Sequence, residues 1–498
     1  MSSIKLFRPL KKSLKLRNSL LPLQRNYSSN KDDDTPYKKT VDVFKHDFDH
    51  LKHYLLNTEN KPKQPRIPHF CDILIIGGGV MGCSIAYWLQ QRALDGLDIV
   101  VIEKDPTVTD FTNNYSKILE YQKSTSVLSV GGLRQQFSLK ENIELSMFSA
   151  EFMRNIKYYL GVNGQDPPDI QFNPCGYLFL ASEEHAEVLN QNATLQKSLG
   201  AKIELLTPEN LKRKFPFINT DGIGLGCHGL ENEGWFDPWS LLNAFKRKAK
   251  SLGTHFVSGE VISFEALNNS DVVPSDEDTH KQLKSVKILT ENGEEKEISF
   301  SILVIAAGAN SGHVAQLAER PLRVDLNLPV EPRKRYVYNV HCPEAPGMVM
   351  PFVIDNSGAY VRREGLAGHY LCGMSPSIGD PEPPVDNLDV DFDFFENRVW
   401  PAIANRVPCF EGCKLKSGWA GFYDYNKFDE NCFVGPHPYA FNVYLATGFS
   451  GHGIQQSPAI GRSIMEMIID GGYMTIDLSR LEYSRLLQDQ PLWESNIV

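Results

Sequence analysis

Several features that commonly define a functional class are scarce in this sequence of 498 residues. Its nine cysteines are scattered, and only Cys409 and Cys413 lie close together, at a spacing that fits neither a zinc ribbon nor a disulfide framework. The formal net charge is −10 and the body of the chain has no basic stripe, which argues against a nucleic-acid partner. We find no internal repeats. We therefore expect buried, reduced thiols, no metal site, and a globular protein of two or three domains in a reducing compartment.

Long apolar runs are also scarce, and the one candidate is FCDILIIGGGVMGCSIAYWL at residues 70–89. Its length would suit a membrane span, but it contains Asp72 and three adjacent glycines, and no comparable stretch occurs elsewhere. A strand, a glycine turn and a helix explain the same apolarity. The sequence therefore predicts no transmembrane segment.

Acidic residues are missing from the first 27 residues, which carry seven lysines and arginines. On a helical wheel one side carries Lys5, Arg8, Lys12 and Lys15, and another carries Ile4, Phe7, Leu10 and Leu14. Such a basic, amphipathic, acid-poor N-terminus is typical of a mitochondrial transit peptide, and cleavage after Tyr27 would fit a matrix-processing site. A disordered basic tail is the alternative. We predict a presequence at 1–27, a location in the matrix, and a polar linker at 28–65 with one helix around 44–56.

A dinucleotide-binding pattern follows the linker. A predicted strand from Cys71 meets the G-x-G-x-x-G turn of Gly77, Gly79 and Gly82, and a second predicted strand ends at Glu103, 21 residues later. The glycines permit a tight turn, let backbone N–H groups reach a pyrophosphate, and pack the following helix on the strand. The carboxylate suits the adenosine ribose and disfavours NADP.

The helix after this turn begins near Val80, so Val80 and Met81 join the predicted cofactor contacts. Two later strands favour FAD over NAD. Val261 in HFVSGEV lies where flavoproteins make backbone contacts to the adenine. SILVIAAGA ends in the small residues Ala307 and Gly308, which let the backbone approach a dinucleotide closely. An ordinary core strand would explain either segment taken alone.

The segment ATGFSGHG joins a predicted strand to a helix through Gly448, Gly451 and Gly453, and Ile454 follows. The N-terminus of that helix would stabilise negative charge on a reduced flavin. His452 is a candidate catalytic base, although a histidine between two glycines at a helix start is more often held there by its surroundings.

A further glycine pair, Gly131 and Gly132, precedes Arg134 in SVGGLRQQFS. A cation held over the flavin would stabilise its anionic hydroquinone, which makes Arg134 a second catalytic candidate. The alternative is a surface charge.

Four of these segments follow one another along the chain: the G-x-G-x-x-G unit, GGLR, AAGA and GFSGHG. In this order they resemble the D-amino-acid oxidase family of flavoproteins, and the sarcosine oxidase and dimethylglycine dehydrogenase branch in particular. The resemblance implies an α/β fold in which a Rossmann-type FAD-binding domain is interleaved with an α+β substrate domain. It places the FAD-binding domain at 66–166, 231–320 and 428–475, the substrate domain at 167–230 and 321–427, and a C-terminal segment at 476–498.

The departures from that family matter as much as the match. Gly421 stands where sarcosine oxidases attach flavin through a cysteine, and Ser129 where the dehydrogenases use a histidine, so the resemblance implies noncovalent FAD. Leu371 stands at the place of the oxygen-activating lysine. Phe137 and Gln455 stand where sarcosine oxidases grip the substrate carboxylate with an arginine and a lysine, which argues against a simple amino-acid oxidase.

The blocks PRKRYVY, YVRREG, GFYDYNKFDEN and GPHP resemble a mitochondrial group of this family that assists assembly of respiratory complex I. That resemblance implies an FAD-binding matrix protein that contacts complex I subunits or assembly intermediates, peripherally at the inner membrane. The alternative is an FAD-dependent dehydrogenase that oxidises a C–N bond of an amino-acid-like or secondary amine substrate. In that case Arg134 or Arg362 would hold the substrate carboxylate.

Overall fold

The computed structural model describes residues 67–104, 124–267, 281–324, 327–377 and 379–495. They belong to a compact unit that begins at Ile67. The predicted presequence and the predicted linker helix lie outside the described residues, as does most of the loop expected around 107–126.

The described residues form eighteen strands, which make two sheets of eight strands and one of two. In chain order the strands are β1 (Phe70–Ile76), β2 (Ile99–Glu103), β3 (Gly132–Leu133), β4 (Tyr177–Ala181), β5 (Ile203–Leu206), β6 (Leu225–Gly229), β7 (Gly234–Trp235), β8 (His255–Ser258), β9 (Glu260–Ala266), β10 (Leu283–Leu289), β11 (Glu295–Ile305), β12 (Val330–His341), β13 (Phe352–Ile354), β14 (Tyr360–Glu364), β15 (His369–Gly373), β16 (Lys414–Asn426), β17 (Phe433–Pro436) and β18 (Val443–Thr447).

Twelve α-helices lie within the same described residues. In chain order the helices are α1 (Val80–Ala93), α2 (Thr125–Leu128), α3 (Lys140–Arg154), α4 (Ile156–Leu160), α5 (Ala186–Ser198), α6 (Pro208–Lys214), α7 (Pro238–Ser251), α8 (Ser311–Leu322), α9 (Phe392–Phe394), α10 (Trp400–Arg406), α11 (Gly453–Ile469) and α12 (Ser484–Leu487). The glycine turns predicted at Gly77 and Gly448 lead directly into α1 and α11.

The first sheet has a parallel core in the order β18-β11-β1-β2-β8, with β17 antiparallel at its edge. Its central strand β1 is apolar on both faces because both are covered. Ile73 and Ile75 pack in a core with α1, α7 and α11, whereas Leu74 and Ile76 pack in a second core with α8. The predicted parallel sheet with helices is confirmed.

Two details of this sheet differ from the sequence-based expectations. HFVSGEV is two strands, because β8 pairs with β2 and then the chain breaks at Gly259, after which β9 pairs with β10. The Gly259 N–H donates to the carbonyl of Glu103 across this break, at 2.8 Å. The polar composition of residues 267–296 predicts an exposed loop or a hairpin insertion. The described part is a hairpin of β10 and β11, but it is not wholly exposed, since Val286 and Ile288 of β10 are fully buried.

The second sheet has the order β16-β12-β15-β14-β13-β4-β6-β5, and its strands lie in the chain between those of the first sheet. One face is covered by the helical segment 392–406. The other face contacts the segment 128–137. The Trp419 indole donates to the Leu128 carbonyl at 2.9 Å, and Arg362 Nε donates to the Val130 carbonyl at 2.8 Å. The alternation of sheets thus brings SVGGLRQQFS against the second sheet. The domain bounds stay a prediction.

The apolar run at 70–89 is divided between β1 and α1, and no helix among the described residues is long and apolar enough to cross a membrane. All nine cysteines are described and none is paired, and six of them are buried. Burial raises the pKa of the Cys83 thiol to about 12. The described residues bring no three metal-ligating side chains together.

Candidate functional site

The turn after β1 is tight enough to require glycine. Gly77 has φ +109°, and a Cβ there would lie 2.2 Å from the carbonyl oxygen of Ala306. A Cβ on Gly82 would lie 1.9 Å from the carbonyl oxygen of Gly77. The end of β11, the turn and the start of α1 therefore approach one another as a dinucleotide-binding turn requires.

The N-terminus of α1 is built to receive an anion. Its N-cap residue is Gly79, which has no side chain of its own to cap the helix, and its first turn carries no acidic residue. The Val80 N–H donates to Ser126 Oγ at 3.0 Å. Glu103 at the end of β2 accepts the Gly78 N–H at 2.6 Å, which places its carboxylate beside the turn. These residues fit a pyrophosphate at the helix and a ribose at Glu103.

Two further glycines leave their backbone open to a ligand. Gly308 after β11 has φ +54° and Gly451 before α11 has φ +96°, and an added Cβ at either position would find no atom within 4 Å. Met81 and Ile454 are buried in the first turns of α1 and α11. Together with the turn at Gly77, these positions fit FAD, whose adenosine end Glu103 would hold.

The turn before α11 is fixed from the second sheet by Asp424 of β16. Its Oδ2 atom accepts the N–H groups of Gly448 and Phe449 at 2.8 and 3.1 Å, and its carbonyl accepts the Ser450 N–H at 3.0 Å. Burial raises the pKa of this carboxyl to about 6, against the opposing effect of those N–H groups. Gly448 was predicted as a cofactor contact, but its N–H is engaged by Asp424. The sequence carries no local signal for Asp424.

Arg134 and His452, the two catalytic candidates, lie together. Arg134 is 4% exposed. Its Nη2 lies 3.0 Å from His452 Nε2, and its Nη1 donates to the Gln136 carbonyl at 2.7 Å. The guanidinium also lies over the rings of Phe137 and Phe179, at 4.2 and 4.9 Å from their centroids. Arg134 is therefore a buried cation, and the surface-charge alternative is wrong.

The contact with Arg134 determines the state of His452. A guanidinium only donates, so Nε2 must accept and the imidazole must be neutral. Burial, and next the charge of Arg134, lower the pKa of His452 to about 3. An imidazole with this pKa and an occupied lone pair is a poor general base at neutral pH. We conclude that His452 positions Arg134.

A buried carboxyl beside Arg134, Glu233, was missed by the sequence reasoning. It precedes β7 and is 1% exposed. Its Oε1 accepts the Gln135 N–H at 2.8 Å, and its Oε2 has no hydrogen-bond partner among the described residues. Burial raises the pKa of Glu233 to about 8, which outweighs the effects of the Gln135 N–H and of Arg134. Burial therefore favours the neutral form of the Glu233 carboxyl.

Three of the remaining predicted residues, all glycines, lie close to Arg134 or His452 in the chain. Gly131 and Gly132 are both closely packed, since a Cβ would lie 2.1 Å from the Phe236 carbonyl oxygen and 1.9 Å from Tyr177 Oη. Gly453 begins α11 beside His452. The Val261 side chain is buried in the core between the first sheet and α8, and its predicted backbone contact with the adenine stays a prediction.

The positions of the departures also lie around the site. Gly421 faces the Leu128 side chain, with 3.1 Å from an added Cβ to the Leu128 Cβ. Ser129 Oγ accepts the Gly131 N–H at 3.2 Å. Leu371 is buried in β15. Gln455 Oε1 accepts the Arg134 N–H at 2.8 Å.

Comparison with known proteins agrees with this geometry. The family model of FAD dependent oxidoreductases (DAO) matches residues 72–467. "FAD-dependent oxidoreductase domain-containing protein 1" of Xenopus laevis is 50% identical over 442 residues, which cover 86% of this chain and 85% of that protein. Mitochondrial sarcosine dehydrogenase of Mus musculus is 23% identical over 444 residues, covering 87% of this chain and 43% of that protein.

Among solved structures, the L-proline dehydrogenase from P. horikoshii is similar with a TM-score of 0.68 and 24% identity, covering 86% of this chain and 100% of that chain. This likeness concerns the fold, and it confirms the D-amino-acid oxidase-like architecture predicted from the sequence.

Replacing Glu103 should weaken FAD binding. In Glu103→Ala the affinity of the apoprotein for FAD should fall roughly tenfold or more, because charge-assisted hydrogen bonds contribute about 1.5–3 kcal/mol each. The measurement is a titration of apoprotein with FAD. Glu260→Ala, which removes a nearby exposed carboxylate paired with Lys104, is the control. Equal affinities in both variants would show that Glu103 does not hold the ribose.

Glu233 should make stability depend on pH in a definite direction. Its folded-state pKa of about 8 lies above the reference value of 4.5, so unfolding releases a proton and stability falls as pH rises between these values. Glu233→Gln lacks this loss. As pH rises between roughly pH 6 and 8, the free energy of unfolding of the variant should therefore increase relative to that of wild type by about 1.4 kcal/mol per pH unit.

The measurement for Glu233 is urea unfolding at several pH values. Glu231→Gln, an exposed carboxylate two residues away, is the matched control and should run parallel to wild type. A constant difference between Glu233→Gln and wild type would mean that Glu233 is ionised in the folded protein.

Proposed function

The chain belongs to the DAO family of FAD-dependent oxidoreductases, and from that premise we propose that it holds FAD noncovalently in the mitochondrial matrix and acts in the assembly of respiratory complex I. The resemblance of the four sequence blocks supports the assembly role, and the transit-peptide pattern of residues 1–27 supports the location. Contact with complex I subunits or assembly intermediates at the inner membrane is part of the proposal.

The observation that carries this proposal is the state of the groups that would hold an amino-acid substrate. Phe137 and Gln455 supply no cation at the two predicted clamp positions, and Gln455 is bonded to the Arg134 backbone. The Arg134 guanidinium is engaged by His452 and by the Gln136 carbonyl. A substrate carboxylate would have to displace these internal partners.

Arg362, the other cation considered for a substrate, is also engaged. It is 3% exposed, donates to the carbonyls of Val130 and Arg363, and contacts Glu364 at 2.6 Å. Arg134 and Arg362 therefore both have internal partners, which favours a protein whose FAD-bound structure is used for binding over an amino-acid oxidase.

The residues of the site would hold FAD in the following way. Glu103 would bind the ribose and the N-terminus of α1 the pyrophosphate. Bound FAD supplies two-electron chemistry. The buried Arg134 and the N-terminus of α11 favour negative charge at the flavin end, and His452 keeps Arg134 in place. FAD also stabilises the native chain by mass action, by several kcal/mol when well above its dissociation constant.

The second candidate is an FAD-dependent dehydrogenase that oxidises a C–N bond of a secondary amine. The likeness to sarcosine dehydrogenase and the intact Arg134–His452 pair favour it. Leu371, at the place of the oxygen-activating lysine, would direct electrons to a carrier or quinone instead of oxygen.

Loss of the cofactor turn should lower complex I. Cells depleted of the protein and restored with Gly79→Val should contain less of this protein and less assembled complex I, because the turn no longer admits the pyrophosphate. The control is Gly412→Val, since an added Cβ at Gly412 meets no atom within 4 Å. Assembled complex I is measured beside flavin content. Normal complex I after complete depletion would refute the assembly proposal.

Reduced flavin in the purified protein should react slowly with oxygen. Leu371 offers no cation to stabilise superoxide, so reoxidation by an artificial electron acceptor should be faster than by air. Stopped-flow absorbance after anaerobic reduction measures both rates. Rapid peroxide formation would contradict the expected slow reaction.

Mixing the oxidised protein with secondary amines without oxygen tests the second candidate, since bleaching of the flavin by one of them would establish a dehydrogenase.

A further inference from the structure

A carboxylate from the end of the described chain is buried beside the segment 134–139, which carries Arg134. Glu494 is 5% exposed. Its Oε1 accepts the Ser138 N–H at 2.6 Å, and its Oε2 accepts the Leu139 N–H at 3.3 Å. Ser138 and Glu494 are 356 residues apart in sequence. These contacts lie directly after Arg134 and Phe137 in the chain.

The position of Glu494 meets a need of helix α3. The N-cap residue of α3 is Leu139, which has no side-chain oxygen to accept an N–H group. An anion at a helix N-terminus satisfies such groups and interacts favourably with the helix dipole. Glu494 thus holds the end of the segment 134–139 in place. The hydrogen bond from the Arg134 N–H to Gln455 holds the beginning of the same segment.

The same carboxylate is connected to helix α11. Asn142 Nδ2 donates to Glu494 Oε2 at 3.0 Å and to Asn431 Oδ1 at 3.1 Å, and Asn142 Oδ1 accepts from Gln456 Nε2 at 3.2 Å. Gln456 follows Gln455 in the first turn of α11. The Asn142 side chain therefore connects Glu494 to α11, which begins directly after His452. Glu494 itself binds the segment 134–139, which carries Arg134.

The backbone around Glu494 is itself held on both sides. The Leu492 carbonyl accepts from Asn431 Nδ2 at 2.7 Å, and the Leu492 N–H donates to Asp429 Oδ2 at 3.0 Å. The Ser495 N–H donates to Ser138 Oγ at 2.8 Å. A carboxylate held so firmly inside the protein acts at a defined place on the charges near it.

Arg134 is one of those charges. Burial lowers the pKa of Arg134, and the nearby Tyr177, Glu494 and Glu233 oppose that effect. Burial raises the pKa of Tyr177 and of Glu233, which favours the neutral form of both. Glu494 differs from both, because its two carboxylate oxygens accept N–H groups from Ser138, Leu139 and Asn142.

We propose that Glu494 is a positioning residue for the flavin end of the site, which holds the Arg134 segment against α11 and sets the net charge that bound FAD experiences. The inference rests on FAD binding at this site and does not depend on the role in complex I. With the carboxylate present, the positive charge of Arg134 is partly compensated. Without it, the site favours the anionic reduced flavin more strongly.

The test uses the purified FAD-loaded protein and three substitutions. Glu494→Gln keeps the length and one acceptor oxygen but removes the charge, whereas Glu494→Asp keeps the charge and shortens the reach. Asp489→Asn removes a charge from the same segment at an exposed position and is the control. Each variant is titrated spectroscopically against a redox dye, and FAD content is measured in parallel.

Glu494→Gln should raise the ratio of reduced to oxidised flavin at a fixed potential roughly tenfold, because a unit charge acts strongly across a buried site. Asp489→Asn should match wild type. Glu494→Asp should stay nearer to wild type in this ratio and lose thermal stability. The proposal is overturned if Glu494→Gln and Asp489→Asn give the same ratio. Loss of FAD from all proteins, wild type included, would instead point to failure of the proposed cofactor site.

Discussion

The buried guanidinium of Arg134 is the constraint on which the rest of the site depends. A charge taken out of water costs far more than the fold can tolerate unless partners compensate for it. Here the compensation comes from the Gln136 carbonyl, the neutral imidazole of His452 and the faces of two phenylalanine rings. Contact with the guanidinium also determines the state of its partners. His452 must accept a hydrogen bond at Nε2 and therefore cannot serve readily as a base.

The interleaved fold brings Arg134 and its partners together. The segment 128–137 contacts the second sheet, the turn before α11 donates to Asp424 of that sheet, and Glu494 accepts the N–H of Ser138. The first sheet contributes the Rossmann turn at Gly77 and the carboxylate of Glu103. In a site assembled in this way, FAD binding depends on how the two sheets pack against each other.

Much of this was predictable from local patterns. The glycine spacing, the apolar strands and the acid at the end of β2 gave the Rossmann unit, because their signals lie within one supersecondary motif. The break at Gly259 and the burial of β10 were missed, since antiparallel pairing of β9 with β10 depends on partners and not on composition. Glu233, Asp424 and Glu494 were missed for the same reason: each acts on residues 24 to 356 positions away.

The central claim is that this chain holds FAD in the described site without a covalent bond, because neither Gly421 nor Ser129 offers the sulfur or imidazole used elsewhere in the family. The direct measurement is to precipitate the purified protein with acid and identify the flavin in the supernatant and the pellet. The account predicts an amount of FAD equimolar with the chain, all of it in the supernatant. Flavin retained in the pellet, or NAD in place of FAD, would contradict it.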